Sequence, residues 1–248
     1  MIFWLVIIVI AILAAAIILS IFLKVARIFV GIIFAAATLI IVGLLVSGFF
    51  VLRDFQDFTA HSADSLYYLK QGDTIVAGFT QSNASGEFYL IEAAELNNAT
   101  ASFAKKDYAA MKGSHYKAFI FDASGLQGNN LSINVAGNAF SGEFALGLLD
   151  SENPEAYLSQ SLSQAEISSI EAKLNDDSEL KSQFFMSYLS SAMKADPLFM
   201  IKGINSGKAR VYPETPMFFA MRVMPLSFAK SLVSEALKKG SSTLSKVV

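Results

Sequence analysis

The sequence predicts an α+β protein in which an N-terminal transmembrane hairpin of two helices precedes one globular domain with a small, mostly antiparallel sheet and several helices. Two observations predict the hairpin: residues 2–23 and 28–52 are continuous apolar runs, and only a short basic connector separates them. A third predicts the domain, because strand and helix patterns alternate along residues 66–240. Residues 54–65 are then a juxtamembrane linker and 241–248 a flexible tail.

The two apolar runs have the lengths of membrane-spanning helices. They would extend roughly 33 Å and 37 Å as α-helices, against a hydrocarbon core of about 30 Å. A single continuous helix would bury Lys24 and Arg27, at about 2.5–3.5 kcal/mol for each charge. A turn at the connector keeps both charges in water. A cleaved signal peptide is the alternative, but no basic residue precedes the first run, and the run is too long.

The basic connector also predicts an orientation. By the positive-inside rule Lys24 and Arg27 lie in the cytoplasm, which places both termini outside a cell membrane. Neither apolar run contains an ionisable residue, which argues against a pump or transporter made of this chain alone. Small residues at intervals of four or eight favour close helix packing, although they are common in membrane helices generally. They are Gly31, Ala35, Gly43 and Ser47.

Composition restricts the function of the domain. The chain has no cysteine, which excludes disulfides, thiolate chemistry and zinc sites with cysteine ligands. Residues 54–195 carry 18 acidic and 8 basic side chains, whereas residues 196–248 carry 3 acidic and 8 basic ones. This pattern is not that of a nucleic-acid-binding protein, which needs a strongly basic domain with a clustered basic face.

The basic C-terminal segment is a possible contact face for anionic lipid or a partner, formed by Lys230, Lys238 and Lys239. We favour the alternative that it packs against the acidic part of the domain. Three Asn-x-Ser/Thr sequons are possible glycosylation sites if the domain lies outside the cell and the organism glycosylates. They are Asn83, Asn98 and Asn130.

The first half of the domain begins with a strand pattern. Residues 66–69 and 74–80 flank a turn that contains Gly72, which predicts a β-hairpin. Residues 86–111 are mostly helical in pattern, with a break at the Asn97-Asn98 pair. Strands are predicted at 116–121 and 131–135, and a short helix at 141–149.

The second half begins with a helical stretch from Pro154 to Met193, interrupted near residues 175–177, where Asp177-Ser178 suits a helix N-cap. A second hairpin is predicted from 198–204 and 209–212, which flank Asn205-Ser206-Gly207. The two prolines that follow suggest an edge position for its second strand. Residues 217–223 fit another strand, and residues 226–239 an amphipathic helix.

Few residues are candidates for chemistry. The two histidines, His61 and His115, show no metal-ligand spacing, and we interpret both as surface residues. Asp122 ends a predicted strand, a common catalytic position, but Ser and Gly follow it as in an ordinary turn. Lys208 lies in a stretch that partly matches a phosphate loop, but the glycines are one residue too close and Ala209 replaces the hydroxyl residue. The sequence therefore predicts no catalytic residue, cofactor or metal.

These observations favour a membrane-anchored, extracytoplasmic and non-enzymatic binding or scaffolding module. Its expected partners are the lipid bilayer and another membrane or envelope protein. Two alternatives stay open. One is a membrane-tethered hydrolase whose carboxylates come together only in the fold, and the other is an accessory subunit of a membrane complex.

Overall fold

The computed structural model describes residues 36–43, 46–58, 60–61, 64–81, 87–128, 131–163, 166–167, 170 and 176–231. The chain divides into two compact units, Met1–Val51 and Leu52–Val248. The first predicted membrane helix and the connector with Lys24 and Arg27 lie outside the described residues, so the two-helix hairpin stays a prediction. Gly31, Ala35, Asn83, Asn130, Lys238 and Lys239 lie outside them too.

Among the described residues, one helix is long and apolar enough to cross a membrane. Helix α1 covers Ala36–Phe58, and its mean hydropathy reaches 2.2. Its 23 residues extend about 35 Å. Gly43 and Ser47 are exposed on it, and their predicted packing role stays a prediction. The helix continues past Leu52, so the predicted linker at 54–65 begins as helix rather than as irregular chain.

The domain is α+β, as predicted, around a mixed five-stranded sheet in the order β3-β2-β1-β4-β7. Strands β1 and β4 pair in parallel, and the other three pairs are antiparallel. A separate antiparallel pair is formed by β5 and β6. The strands are β1 Ser65–Gln71, β2 Thr74–Gln81, β3 Phe88–Leu90, β4 Lys117–Asp122, β5 Ser132–Val135, β6 Asn138–Ser141 and β7 Ala209–Tyr212.

Helices cover both faces of this sheet. On one face, Leu66, Tyr68 and Ile120 pack with Leu96 of α2 and Met111 of α3. On the other, the rings of Phe79 and Phe121 contact Phe185 of α6 at 5.6 Å and 5.8 Å. The helices are α2 Ala93–Ala104, α3 Tyr108–Lys112, α4 Gly142–Asp150, α5 Pro154–Leu158, α6 Asp177–Ala195, α7 Phe199–Asn205 and α8 Pro216–Val223. Residues 226–231 are also helical.

The prediction for residues 86–111 is wrong in two respects. The segment begins with β3, which pairs with β2 and so owes its strand form to a tertiary partner. Helix α2 runs through Asn97-Asn98 without a break, because both side chains are exposed while Leu96 and Ala99 are buried. The break comes at Lys106, whose φ is 59°, and Asp107 then caps α3 through the Ala110 N–H at 3.0 Å.

The second predicted hairpin is also wrong in its first half. Residues 199–205 form helix α7, and the residues predicted as a hairpin turn end it. Gly207 donates its N–H to the Ile204 carbonyl at 3.1 Å and has a φ of 73°. A left-handed glycine is typical of helix C-termini as well as of hairpin turns, so the same residue fits both structures. The second half is confirmed as β7, at the predicted edge of the sheet.

The predicted strand at 217–223 is helix α8 instead. Pro216 occupies the first turn, where its missing N–H costs nothing, and this is a helix-start signal. Two smaller differences concern a strand that was not predicted and the N-cap of α6. Residues 138–141 form β6, paired with β5 across the positive-φ residues Ala136 and Gly137. The N-cap of α6 is Asp176 rather than the predicted Asp177-Ser178.

Candidate functional site

Two of the sequence candidates, Asp122 and Lys208, meet at one end of the β1–β4 pair. Lys70 of β1 donates to Asp122 Oδ2 at 2.6 Å, because the parallel register sets these two residues side by side. Ser124 donates its hydroxyl to Asp122 Oδ1 at 2.6 Å and its N–H to the same atom at 3.0 Å. Lys208 Nζ lies 2.9 Å from Ser124 Oγ and completes a polar cluster of four residues.

The electrostatics of the cluster favour a charged aspartate. Burial opposes the charge of Asp122, but the hydrogen bonds from Lys70 and Ser124 outweigh it and lower the pKa to about 2. A carboxylate with so low a pKa is a weak proton acceptor at neutral pH. Ser124 and Lys208 are both exposed, whereas lysines that act as bases are usually desolvated. The geometry therefore fits a charged turn better than a nucleophile with its base.

The two histidines lie elsewhere. His115 Nδ1 is 2.8 Å from Asp64 Oδ1, just before β4 and β1 begin. This pair is at the opposite end of the parallel strands from Lys70 and Asp122, roughly 20 Å away at 3.3 Å per residue. His61 Nδ1 bonds the Asp57 carbonyl at 2.9 Å. No group of three metal-ligating side chains is found in the part of the chain that the structure describes.

A groove of about 510 Å³ runs beside the edge strand β7. Its walls come from β7, α3, α7 and α8. Glu214 and Arg222 form an ion pair across it at 3.2 Å, and the rings of Tyr108 and Tyr212 are 5.8 Å apart. The side chains that line it include Tyr108, Arg210, Tyr212, Glu214, Phe218 and Arg222.

Arg210 is the unusual member of this groove. It is exposed and projects from β7. Within the described ranges it has no hydrogen-bonding or ion-pairing partner, in contrast with Arg222, which pairs with Glu214. The groove thus has aromatic walls and two arginines, Arg210 and Arg222, against one glutamate, Glu214. This arrangement suits a carboxylate attached to apolar groups.

Helix α8, which forms one wall, is held at both ends by side chains from other elements. Asp54, near the end of α1, accepts the Met217 N–H at 2.8 Å and is only 8% exposed. At the other end, Asn205 donates to the carbonyls of Arg222 and Met224, each at 2.9 Å. Both contacts satisfy backbone groups that a helix end leaves unpaired.

A buried lysine supports the turn that leads into α8. Lys117, 1% exposed, donates to the Pro213 carbonyl at 3.2 Å and to Thr215 Oγ1 at 3.4 Å. Its ammonium also lies 5.1 Å from the centre of the Phe218 ring. Burial lowers the pKa of Lys117, and nearby Asp54 opposes that shift. Lys117 is therefore a structural cation that orders the Pro213–Pro216 turn.

Sequence reasoning missed most of these residues. Arg210 and Lys70 gave no signal, because only the fold shows what lies beside them. The sequence does contain a signal for Asp54, because it is an acid that follows the apolar run and Arg53 directly. It also contains one for Lys117, which is the one charge at the start of an apolar strand. Of the other predicted sites, Asn98 is exposed on α2 and Lys230 is exposed after α8.

Comparisons with protein-family models, curated proteins and solved structures found no match to this chain. The function is therefore inferred from the groove, the polar cluster and the apolar helix α1.

Proposed function

We propose that this protein is a membrane-anchored binding module whose groove beside β7 holds an extended, acidic segment of another membrane or envelope protein. The observation that carries the proposal is Arg210, an exposed guanidinium with aromatic neighbours and no carboxylate partner among the described residues. A carboxylate of the bound segment would complete a bidentate pair with it. Apolar side chains of the segment would pack against Tyr212 and Phe218.

Charge supports an acidic occupant. The groove is built largely from the C-terminal segment 196–248, where basic residues outnumber acidic ones by eight to three. Most of the remaining domain is acidic and would repel such a segment. The occupant should therefore be directed to the groove rather than to the opposite end of the sheet.

The anchor and its topology belong to the same proposal. Helix α1 has the length and hydropathy of a membrane span. The run at 2–23 and the basic connector favour a second span and a two-pass hairpin, with the domain outside the cytoplasm. The glycosylation sites and the small-residue packing stripe depend on this arrangement and remain predictions.

The decisive experiment uses the full chain in detergent as bait for a library of random displayed peptides. Peptides that combine Asp, Glu or a free C-terminus with an apolar residue should be enriched. The Arg210→Glu variant should bind them about 10–100-fold more weakly, because loss of a charge-assisted pair is worth about 1.5–3 kcal/mol. Lys105→Glu, a charge reversal at the exposed C-cap of α2, is the matched control. Equal binding by both variants would refute the groove.

One contact favours a second candidate, a serine hydrolase. Lys208 Nζ lies 2.9 Å from Ser124 Oγ, as in enzymes whose lysine activates a serine. If the serine is a nucleophile, a fluorophosphonate probe should label the full chain, and Ser124→Ala should abolish the labelling. Our proposal expects no labelling. It also expects alanine at His61, His115, Asp122 or Lys208 to leave peptide binding near the wild-type level.

A further inference from the structure

Four apolar side chains form an exposed surface on α8 and the helical turn after it. Phe219 is 51% exposed, Val223 61%, Leu226 41% and Phe228 54%. We call these four residues the α8 face. Phe219 and Val223, four residues apart, lie on one side of α8, and Leu226 and Phe228 follow after α8 ends at Val223. The α8 face is separate from the groove, which uses Phe218 and Arg222 of the same helix.

The α8 face is a fixed part of the fold and not the side of a loosely attached helix. Phe218, on the opposite side of α8, is 3% exposed and its ring lies 5.4 Å from that of Phe58 and 5.7 Å from that of Phe119. Asp54 and Asn205 hold the two ends of α8, as described above. Phe219 and Val223 are therefore kept exposed by the packing of Phe218 and the contacts at the two ends of α8.

The chain itself links α8 to the membrane anchor. Asp54 lies two residues after Leu52, the last residue of the predicted second apolar run. Its carboxylate bonds the Met217 N–H, in the first turn of α8. The first turn of α8 is thus held by a residue that follows closely after the predicted span.

The charges next to the α8 face fit phospholipid. Arg222 is half exposed, pairs with Glu214, and its guanidinium carbon lies 5.2 Å from the centre of the Phe219 ring. Lys230 is exposed beside Phe228. The sequence then adds Lys238, Lys239 and Lys246, with Glu235 as the one acid after Glu214.

We infer that the α8 face lies in the interface of the phospholipid bilayer, with its aromatic and aliphatic side chains about 5–10 Å into the headgroup and acyl boundary. Lys230 contacts lipid phosphates, and anionic lipid strengthens the contact. The domain is thereby held to the bilayer at a second point besides the membrane span. The inference rests on the proposed membrane anchor but not on the peptide groove, which uses Phe218 and Arg222 rather than the four residues of the α8 face.

The test exploits the single tryptophan, Trp4. In a Trp4→Phe background, the full chain is reconstituted into vesicles of phosphatidylcholine brominated near the glycerol end of its acyl chains, with or without phosphatidylglycerol. Phe219→Trp and Phe228→Trp each place one indole on the α8 face. Phe88→Trp is the matched control, because Phe88 is 50% exposed on β3, at the opposite edge of the sheet.

Bromine should quench the indoles at 219 and 228 by at least about half and leave the one at 88 nearly unchanged, since quenching requires contact with the acyl region. Lys230→Glu should remove part of the extra quenching that phosphatidylglycerol gives, and Lys105→Glu should not. Quenching at 219 and 228 no greater than at 88 would overturn the inference. A blue-shifted, unquenched indole would overturn it too, by showing that a second copy or residues 232–248 cover the face. Near-ultraviolet circular dichroism checks folding, and Val223→Trp replaces any variant that fails.

Discussion

Substitution of Asp54 tests how the end of α1 is joined to the domain. The Asp54→Ala variant removes the acceptor of the Met217 N–H and leaves that donor buried at the start of α8. It also removes the carboxylate whose charge opposes the pKa shift of buried Lys117. A lost helix cap costs about 0.5–2 kcal/mol, and a lost hydrogen bond to a charged group about 1.5–3 kcal/mol. We expect a loss of about 2 kcal/mol in the free energy of unfolding, within both ranges.

For a unit of this size, that loss corresponds to a decrease in Tm of about 4–8 °C. The assay is thermal unfolding of the full chain in detergent, followed by the near-ultraviolet signal of the tyrosines, because detergent keeps α1 helical and masks a far-ultraviolet change. Asp57→Ala is the control, since Asp57 is exposed on the same helix one turn later. Its effect should stay within about 0.5 kcal/mol.

Asp54→Asn separates the two roles of the side chain. The amide oxygen still accepts the Met217 N–H, but the negative charge is lost, so the decrease in Tm should fall between those of the alanine variant and the wild type. If Asp54→Ala and Asp57→Ala melt at the same temperature, the contact between Asp54 and Met217 makes no measurable contribution to the free energy of unfolding. The claim that Asp54 holds α8 to the end of α1 would then have to be abandoned.

Three further predictions concern other parts of the chain. The pKa of Asp122 is lowered from 3.8 to about 2. The contribution of Asp122 to the free energy of unfolding is therefore present above about pH 4 and is lost as the pH falls toward 2. The difference in urea midpoint between the wild type and Asp122→Asn should vanish on acidification. Gly142→Ala should lower the free energy of unfolding by about 1–3 kcal/mol, measured by urea unfolding, because its Cβ would clash with the Gly128 carbonyl oxygen. In intact cells, an impermeant thiol reagent should label a cysteine at Asn98 and spare one at Val25, and the reverse pattern would invert the topology.

The parts of the fold that were predictable from the sequence are those in which local signals decide the outcome. The β1–β2 hairpin is one, because Gly72 adopts a φ of 60° in a short turn between two apolar strands. The edge position of β7 is another, since a proline follows it directly. Helices α7 and α8 were assigned as strands because short apolar runs are compatible with either form. Pro216 was the local signal that favoured the helix.

The candidate site depends on contacts between distant residues, which one sequence does not contain. Lys70 and Asp122 meet only because β1 and β4 are parallel and in that register. The groove needs α7 and α8 as helices, so the two wrong assignments concealed it. From the sequence, Asp122 was interpreted as a turn residue and Lys208 as part of a partial phosphate-loop match; that both contact Ser124 is visible only in the fold.

Helix α8 connects the three features on which the proposed function depends. Asp54 joins it to the anchor, Phe218 and Arg222 face the groove, and Phe219 begins the surface assigned to lipid. A change at Asp54 should therefore reach the groove, although the carboxylate does not line it. If α8 shifts when its first turn loses the cap, Asp54→Ala should weaken peptide binding while Asp57→Ala leaves it unchanged, at temperatures where both variants are folded. Because Arg210 lies on β7 rather than α8, its contribution to binding should survive, so Arg210→Glu should weaken binding further in the Asp54→Ala background.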